Sequence, residues 1–97
     1  MMNDDKFDEI LNKISILHEV KNTDYGNAFG DTYQEFASYS DLAANGYALG
    51  LLKNKINRLT NLMLSQEEPQ VNESIQDTLI DLASYSIMFL EELQKHE

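Results

Sequence analysis

The sequence predicts an all-α fold, with four helices in a single domain over residues 1–97. Apolar residues recur with the 3.6-residue period of a helix, no run alternates with the two-residue period of a strand, and the chain has one proline and four glycines. A chain this short buries only about 60 to 65% of its unfolded surface. We therefore expect the four-helix bundle to be completed by oligomerisation, as a dimer or a larger homo-oligomer.

The first helix is predicted over Asp4–Lys21. Residues 22–27 are rich in turn-forming side chains and predict a loop or a broken helix. A short second helix is predicted to open on Asp31 and Gln34, as a capping-box variant, and to run through Phe36. The apolar residues of the first helix form one stripe that we expect to be buried, namely Phe7, Ile10, Leu11, Ile14 and Leu17.

The third helix is predicted over Asp41–Leu64 and the last from Asn72 or Ser74 to about Gln94, with a break at 66–70. The apolar ladder of the third helix comprises Leu42, Leu49, Leu52, Ile56, Leu59 and Met63. The last helix has apolar positions at alternating spacings of four and three, namely Ile75, Leu79, Leu82, Ser86, Phe89 and Leu93. This spacing predicts a seam that packs against the other helices.

The composition excludes several classes of protein. The chain has 17 Asp and Glu against 7 Lys and Arg, a net charge of -10, and no cysteine. Without cysteine there are no disulfides, thiolate metal sites or cysteine nucleophiles. The acidic balance argues against binding to nucleic-acid phosphates, but it permits binding of hard cations or imitation of DNA. No apolar run approaches the roughly 18 to 20 residues of a membrane span, so we expect a cytoplasmic protein with no membrane partner.

Three acidic residues of the last helix, Glu73, Asp77 and Asp81, follow one another at four-residue spacing and share one arc of the helix. Like charges at this spacing destabilise a helix by roughly 0.2 to 0.5 kcal/mol per pair, and a divalent cation would offset the repulsion. Mg²⁺, with Mn²⁺ as an alternative, suits such oxygen ligands. The competing interpretation is a solvated acidic stripe, with Ser74 and Asp77 forming a capping box.

Basic residues gather on the third helix, where Lys53, Lys55 and Arg58 lie within six positions. Lys55 and Arg58 are three residues apart and can project together, which suits phosphate oxygens such as those of a triphosphate. The alternative is that they form salt bridges to the acidic last helix.

The segment 21–29 combines polar side chains with two aromatic rings. Tyr25 or Phe29 can stack on a nucleobase. The side chains available to bond the edge of that base are Asn22, Asp24 and Asn27. The alternative is an ordinary helix end whose rings fill the core.

These regions form three blocks, Lys21-Asn22-x-Asp24-Tyr25-Gly26-x-Ala28-Phe29, Lys55-x-Asn57-Arg58-Leu59, and Glu73-Ser74-Ile75-x-Asp77-Thr78-Leu79-x-Asp81-Leu82-Ala83-x-Tyr85. In this order the blocks resemble a phage and prophage family, the nucleotide-modification-associated domain 1 family. That family is similar to the MazG-like all-α nucleoside triphosphate pyrophosphohydrolases. The resemblance extends over roughly residues 7 to 93.

The resemblance implies a fold completed as a dimer or tetramer, Mg²⁺ held by helix carboxylates, and attack of water on a nucleoside triphosphate that releases pyrophosphate. By position, Glu73, Asp77 and Asp81 match the acidic metal-binding block, with Asp77 and Asp81 also catalytic. The implied nucleotide-binding residues are Lys21, Asp24, Tyr25, Lys55 and Arg58. MazG-like enzymes carry Glu-x-x-Glu and Glu-x-x-Asp pairs, whereas this chain has the four-residue spacing and no Glu-x-x-Glu.

Three functions are compatible with these patterns. The first is a Mg²⁺-dependent pyrophosphohydrolase of nucleoside or deoxynucleoside triphosphates, of phage origin and acting on the nucleotide pool. The second is a protein of the same fold that captures a nucleotide or cyclic nucleotide without cleaving it. The third is an acidic DNA mimic that binds a basic protein partner.

Overall fold

A computed structural model describes residues 5–25, 27–65 and 69–95. This part of the chain folds into four helices and contains no strand, so the predicted all-α fold is confirmed. The helices are α1 (Asp5–Tyr25), α2 (Ala28–Ala37), α3 (Asp41–Met63) and α4 (Pro69–Lys95). Within the described ranges, no helix combines the length and the apolar character needed to cross a membrane.

Helix α1 continues past its predicted end and includes residues 22–25, which were predicted as a loop or a broken helix. The polar side chains of this segment bond back to the preceding turn rather than compete with it. The Thr23 hydroxyl donates to the Glu19 carbonyl oxygen at 2.9 Å, and Asn22 Nδ2 lies 3.2 Å from His18 Nε2. Such bonds leave the helical backbone intact. Gly26, the next predicted turn residue, lies outside the described residues.

Helix α2 begins four residues earlier than predicted because Asn27, and not Asp31, is its N-cap. The Asn27 side-chain oxygen accepts a hydrogen bond from the Gly30 backbone N–H at 3.2 Å. Asp31 instead lies in the first turn, where its N–H donates to the Asn27 carbonyl at 2.9 Å. A carboxylate in the first turn is favoured by the helix macrodipole, so Asp31 still supports the start of α2.

Helix α3 begins at the predicted residue, capped by the Ser40 hydroxyl, which accepts from the Ala43 N–H at 3.0 Å. Helix α4 begins at Pro69, before the predicted start. Proline suits the first helical position because its missing N–H would be unpaired there in any residue. Ser74 is therefore inside α4, where its carbonyl accepts the Thr78 hydroxyl at 2.7 Å, and it does not open a capping box.

Helices α2, α3 and α4 pack around a small aromatic core. The ring of Phe29 lies 5.7 to 6.1 Å from the rings of Tyr33, Tyr47 and Tyr85, at the centroid separations of favourable aromatic pairs. The buried residues that α3 contributes to this core are the small Ala44 and Ala48. Because these two side chains are short, α3 can approach close enough for the rings to fill the space between the helices.

The stripe predicted to be buried on α1 is largely exposed, which corrects that prediction. Of its five residues only Ile14 is buried, and Phe7 retains 58% of its surface. The physical reason is that α1 packs chiefly against α4, which covers only one narrow part of its surface. Periodicity correctly groups the apolar residues of α1, but this chain does not bury most of them.

The predicted apolar lines of α3 and α4 are likewise rotated away from the core. On α3 only Leu59 of the ladder is buried and Leu52 is half-buried, whereas the exposed members are Leu42, Leu49, Ile56 and Met63. On α4 the exposed seam members are Leu79, Ser86 and Leu93, whereas Ile75, Leu82 and Phe89 are half-buried. Among the side chains of α4 that the structure describes, the buried ones are Thr78 and Glu92. On each of these two helices, some residues of the predicted apolar line face the core and the others face solvent.

A buried polar network joins α2 to α4. Glu92, which is buried, accepts hydrogen bonds from Gln34 Nε2 at 2.7 Å and from Lys95 Nζ at 2.8 Å. Nearby, the Tyr33 hydroxyl donates to Asn45 Oδ1 at 2.6 Å and links α2 to α3. Paired in this way, the buried polar atoms avoid the cost of an unsatisfied group.

The Asn27 cap predicts different effects for two glycine substitutions, both inside helices. In Gly30→Ala the new Cβ overlaps the Asn27 side chain, so the cap must move, and we expect this variant to gain about 1 kcal/mol less than the control, the usual cost of a lost N-cap. In the matched control Gly46→Ala the Cβ meets nothing within 4 Å. Alanine is favoured over glycine inside a helix by about 0.5 to 1 kcal/mol, so this variant gains stability. Urea unfolding measures the stability of both variants. Equal changes in the free energy of unfolding would contradict the assignment of Asn27 as the N-cap.

The network also predicts a loss of stability in alkali. Burial raises the pKa of Tyr33 above 10.0, with Asp41 and Glu92 adding to the effect. The hydrogen bond from Lys95 to Glu92 raises the pKa of Lys95 above 10.5. The folded chain holds both protons more tightly than the unfolded chain does. These two groups therefore contribute fully to the free energy of unfolding below their ordinary pKa values, and that contribution is lost as the pH rises through their raised pKa values.

The measurement is the free energy of unfolding as a function of pH. We expect it to fall above about pH 10, and to fall less steeply in Tyr33→Phe, which has no hydroxyl to ionise. An equally steep alkaline fall in Tyr33→Phe would assign the effect to other groups.

Candidate functional site

Three charged residues from three helices meet at the surface beside the core. Asp81 of α4 accepts Lys21 Nζ of α1 at 3.4 Å on one carboxylate oxygen and Lys55 Nζ of α3 at 3.3 Å on the other. We call Lys21, Asp81 and Lys55 the charged triplet. The side chain of Asp81 is 33% exposed, so a ligand can reach the triplet from solvent.

The triplet and its neighbours are placed by the packing of α3 against α4. Lys55 pairs with Asp81 and Arg58 pairs with Thr78, so the residue numbers run in opposite directions and the two helices are antiparallel. Arg58 Nε donates to the Thr78 hydroxyl at 3.2 Å, and that hydroxyl donates in turn to the Ser74 carbonyl. Thr78 therefore fixes the base of the Arg58 guanidinium next to the triplet.

An aromatic cavity of about 230 Å³ opens on one side of the triplet. Its rim includes Lys21 and Asp81, and its polar lining includes the amides of Asn22 and Asn27. The lining includes the rings of Phe29, Tyr47 and Tyr85 and the imidazole of His18. Drug-sized ligands occupy pockets of about 300 to 1,000 Å³, so this cavity suits one ring system of a larger ligand.

A second depression, an open groove of about 460 Å³, runs along α3 on the side of Lys55 and Arg58. Three exposed amides line it at helical spacing, Asn54, Asn57 and Asn61. Lys55 also lies 5.8 Å above the ring of Tyr85, within the range of a cation–π contact. The triplet thus stands between an aromatic cavity and a polar groove.

The predicted acidic ladder is not assembled as one metal site. Among residues 5–25, 27–65 and 69–95, no three His, Asp or Glu side chains are placed to share a cation. Glu73 and Asp77 are exposed on α4, and Asp81 is paired with two lysines. Metal binding at Glu73, Asp77 and Asp81 stays a prediction.

The other predicted site residues divide into two groups. Lys21 and Lys55 both pair with Asp81, and Arg58 bonds Thr78, three residues before Asp81 on α4. Phe29 belongs to the core, as the alternative interpretation predicted, and it also lines the cavity. Its stacking on a nucleobase stays a prediction. Asp24 and Tyr25 end α1, and their side chains lie outside the described residues.

Two residues of this site had no role assigned from the sequence. Thr78 orients Arg58, and Tyr85 lies under Lys55 and lines the cavity. Their spacing from Asp81 gave a signal, because residues three before and four after a helical position share its face. Tyr47, a further lining residue on α3, has no comparable spacing to any charged position.

One protein-family profile, described as nucleotide modification associated domain 1, matches residues 21–93. The match begins at Lys21 and therefore includes the charged triplet, Arg58 and the cavity rings of Phe29, Tyr47 and Tyr85. Searches of curated proteins and of solved structures found no match to the chain.

The bond between Arg58 and Thr78 predicts different outcomes for two substitutions at a buried position. Thr78→Val keeps the shape but leaves Arg58 Nε without its acceptor, so we expect a loss of roughly 1 kcal/mol in the free energy of unfolding. Thr78→Ser keeps the hydroxyl and is expected to retain both hydrogen bonds. Urea unfolding measures the difference, and a Thr78→Ser variant less stable than Thr78→Val would show that the lost methyl group outweighs the hydroxyl.

Proposed function

The chain belongs to the nucleotide modification associated domain 1 family, and we propose that it binds a nucleoside triphosphate at the charged triplet. The observation that carries the proposal is the convergence of Lys21, Lys55 and Arg58 beside an aromatic cavity, in a chain of net charge -10. Three of the seven basic residues of the chain lie in this one small region. The rest of so acidic a surface repels phosphate, which makes this region the favoured place for it.

The aromatic cavity supports the base-binding part of the proposal. Nucleobases stack on aromatic side chains, with about 1 to 3 kcal/mol per base. Tyr47 and Tyr85 are only half-buried and keep accessible surface on the cavity side of the core. The amides of Asn22 and Asn27 in the same lining supply donors and acceptors for the edge of a base.

The charged residues support the phosphate-binding part. In the described structure Lys21 and Lys55 share a single carboxylate, whose one negative charge is less than that of a triphosphate. A phosphate group can therefore replace Asp81 as the partner of both lysines. Arg58 donates its Nε to Thr78, and its terminal nitrogens offer the fork that suits phosphate oxygens. The amides along α3 extend this polar surface beyond Arg58.

Hydrolysis of the bound triphosphate to the monophosphate and pyrophosphate is the second candidate function. Its support is the position of Asp81, because a carboxylate beside bound phosphates is placed to take a proton from an attacking water. This is the activity that the resemblance to MazG-like enzymes implies, in a phage protein acting on the nucleotide pool of the cytoplasm. Capture without cleavage is the alternative outcome at the same site.

The test is a thermal-shift screen of the canonical ribo- and deoxyribonucleoside triphosphates, with and without Mg²⁺, followed by chromatography of each mixture. Binding raises the melting temperature. Monophosphate and pyrophosphate in the mixture would establish hydrolysis, and a recovered intact nucleotide would establish capture. No shift with any nucleotide would overturn the proposal.

Matched variants locate the binding. Lys55→Ala is expected to weaken binding at least about tenfold, since a hydrogen bond to a charged group contributes about 1.5 to 3 kcal/mol. Lys53→Ala removes the same charge from an exposed position of α3 outside the triplet and is expected to bind like the wild type. Equal losses of nucleotide affinity in both variants would show that the effect comes from net charge and not from the position of Lys55.

A second matched pair separates the two candidate functions. Asp81→Asn frees both lysines and is expected to keep nucleotide binding while it abolishes any product formation. Asp77→Asn removes an equal charge from an exposed position of the same helix and leaves the triplet paired. Product formed at the wild-type rate by Asp81→Asn would exclude Asp81 as the catalytic group.

A further inference from the structure

We infer that the nucleotide bound at the charged triplet carries an apolar group on the exocyclic amino nitrogen of its base, as an N-substituted adenine or cytosine does. That group occupies an apolar cavity between α1 and α4, next to the aromatic cavity. The inference rests on the proposed function, because it names the class of nucleotide that the same site takes.

The apolar cavity has a volume of about 220 Å³. Its apolar lining includes Leu11, Ile14, Ile87 and Met88, and its polar lining includes Ser15, His18, Ser84 and Glu91. Drug-sized ligands occupy about 300 to 1,000 Å³, so this cavity is too small for such a ligand by itself. Taken together, the aromatic cavity of about 230 Å³ and the apolar cavity reach that range.

The two cavities share one wall. His18 of α1 and the α4 residues Ser84 and Met88 line both cavities, and all three are half-buried. Met88 is the side chain that can open this wall, because methionine is unbranched and has three rotatable side-chain bonds. Rotation of the Met88 side chain would therefore join the two cavities without a movement of either helix backbone.

The charged triplet determines which edge of a base faces this wall. Lys21 and Asp81 lie at the rim of the aromatic cavity, and the wall residues His18 and Ser84 lie about one helical turn from them, on the same helices. With its phosphates at the triplet, a nucleotide directs the edge opposite its ribose towards the wall. In adenine and cytosine that edge carries the exocyclic amino group.

Asn22 supplies an acceptor for the amino group. Asn22 Nδ2 lies 3.2 Å from His18 Nε2, and because an amide nitrogen only donates, the ring nitrogen is the acceptor. This contact leaves Asn22 Oδ1 available to accept from the base. A substituted amino nitrogen keeps one N–H, which donates to Asn22, while its substituent continues past Met88 into the apolar cavity. A keto oxygen at the same place would offer neither a donor nor a point of attachment.

The test compares nucleotides that differ only in the apolar group, by isothermal titration calorimetry. N6-benzyl-ATP is paired with N6-methyl-ATP, and N4-benzyl-dCTP with N4-methyl-dCTP, so each pair keeps the same single N–H. We expect the benzyl compound of at least one pair to bind at least about tenfold more tightly, which corresponds to about 1.4 kcal/mol. Burial of an apolar ring of the size of Phe supplies this much.

A matched pair of variants locates the benzyl group. Ile87→Trp fills the apolar cavity, and Ile87 does not belong to the lining of the aromatic cavity. We expect this variant to bind the methyl compound like the wild type and to reduce the advantage of the benzyl compound to about twofold or less. Leu90→Trp makes a similar change at a comparably exposed position of α4, 54% against 45%, outside the lining of both cavities. We expect it to keep the advantage.

Circular dichroism establishes that each variant keeps its helices, and Leu11→Trp, on the α1 side of the apolar cavity, replaces Ile87→Trp if that variant unfolds. Equal affinities within both pairs would overturn the inference. So would an advantage that survives in Ile87→Trp or disappears in Leu90→Trp. In these cases, binding of the methyl compounds leaves the proposed function standing, whereas a chain that binds no nucleotide would overturn both.

Discussion

The antiparallel contact of α3 with α4 determines where Lys55, Arg58 and Asp81 of the candidate site lie. It depends on Ala44 and Ala48, whose small side chains let the two helices approach and enclose the aromatic core. The same register places Lys55 opposite Asp81 and Arg58 opposite Thr78. Since the charged contacts are partly exposed and contribute little stability by themselves, the apolar contact fixes their geometry and not the reverse.

The fold class and most helix positions could be predicted from the sequence because helical periodicity is a local property. Which face of each helix is buried could not be predicted in this way, and α4 illustrates why. Its apolar seam is real, but Leu79 and Leu93 lie on the flank that faces solvent, while Thr78 and Glu92 are buried. Periodicity identifies residues that share a face, whereas the choice of the face that turns inward depends on contacts between helices.

The candidate site shows a similar division. Lys55, Arg58 and Asp81 were recognisable because charge is visible in a sequence. Lys55 forms a salt bridge to the last helix, as the alternative interpretation predicted, whereas Arg58 donates to the Thr78 hydroxyl. Thr78 acts through a hydroxyl that donates to the Ser74 carbonyl and accepts from Arg58, a role that only the helix pairing reveals. The Asn27 cap was missed for another reason, since Asp31 offered an equally acceptable N-terminus by local rules.

The ring composition of the cavity has an optical consequence. The chain has five tyrosines and no tryptophan, and two of those tyrosines, Tyr47 and Tyr85, line the aromatic cavity. Tyrosine emission is usually hidden by tryptophan, but here it is the native fluorescence of the protein. A molecule that enters the cavity changes the surroundings of two of the five emitters, so the unmodified chain carries its own reporter of occupancy.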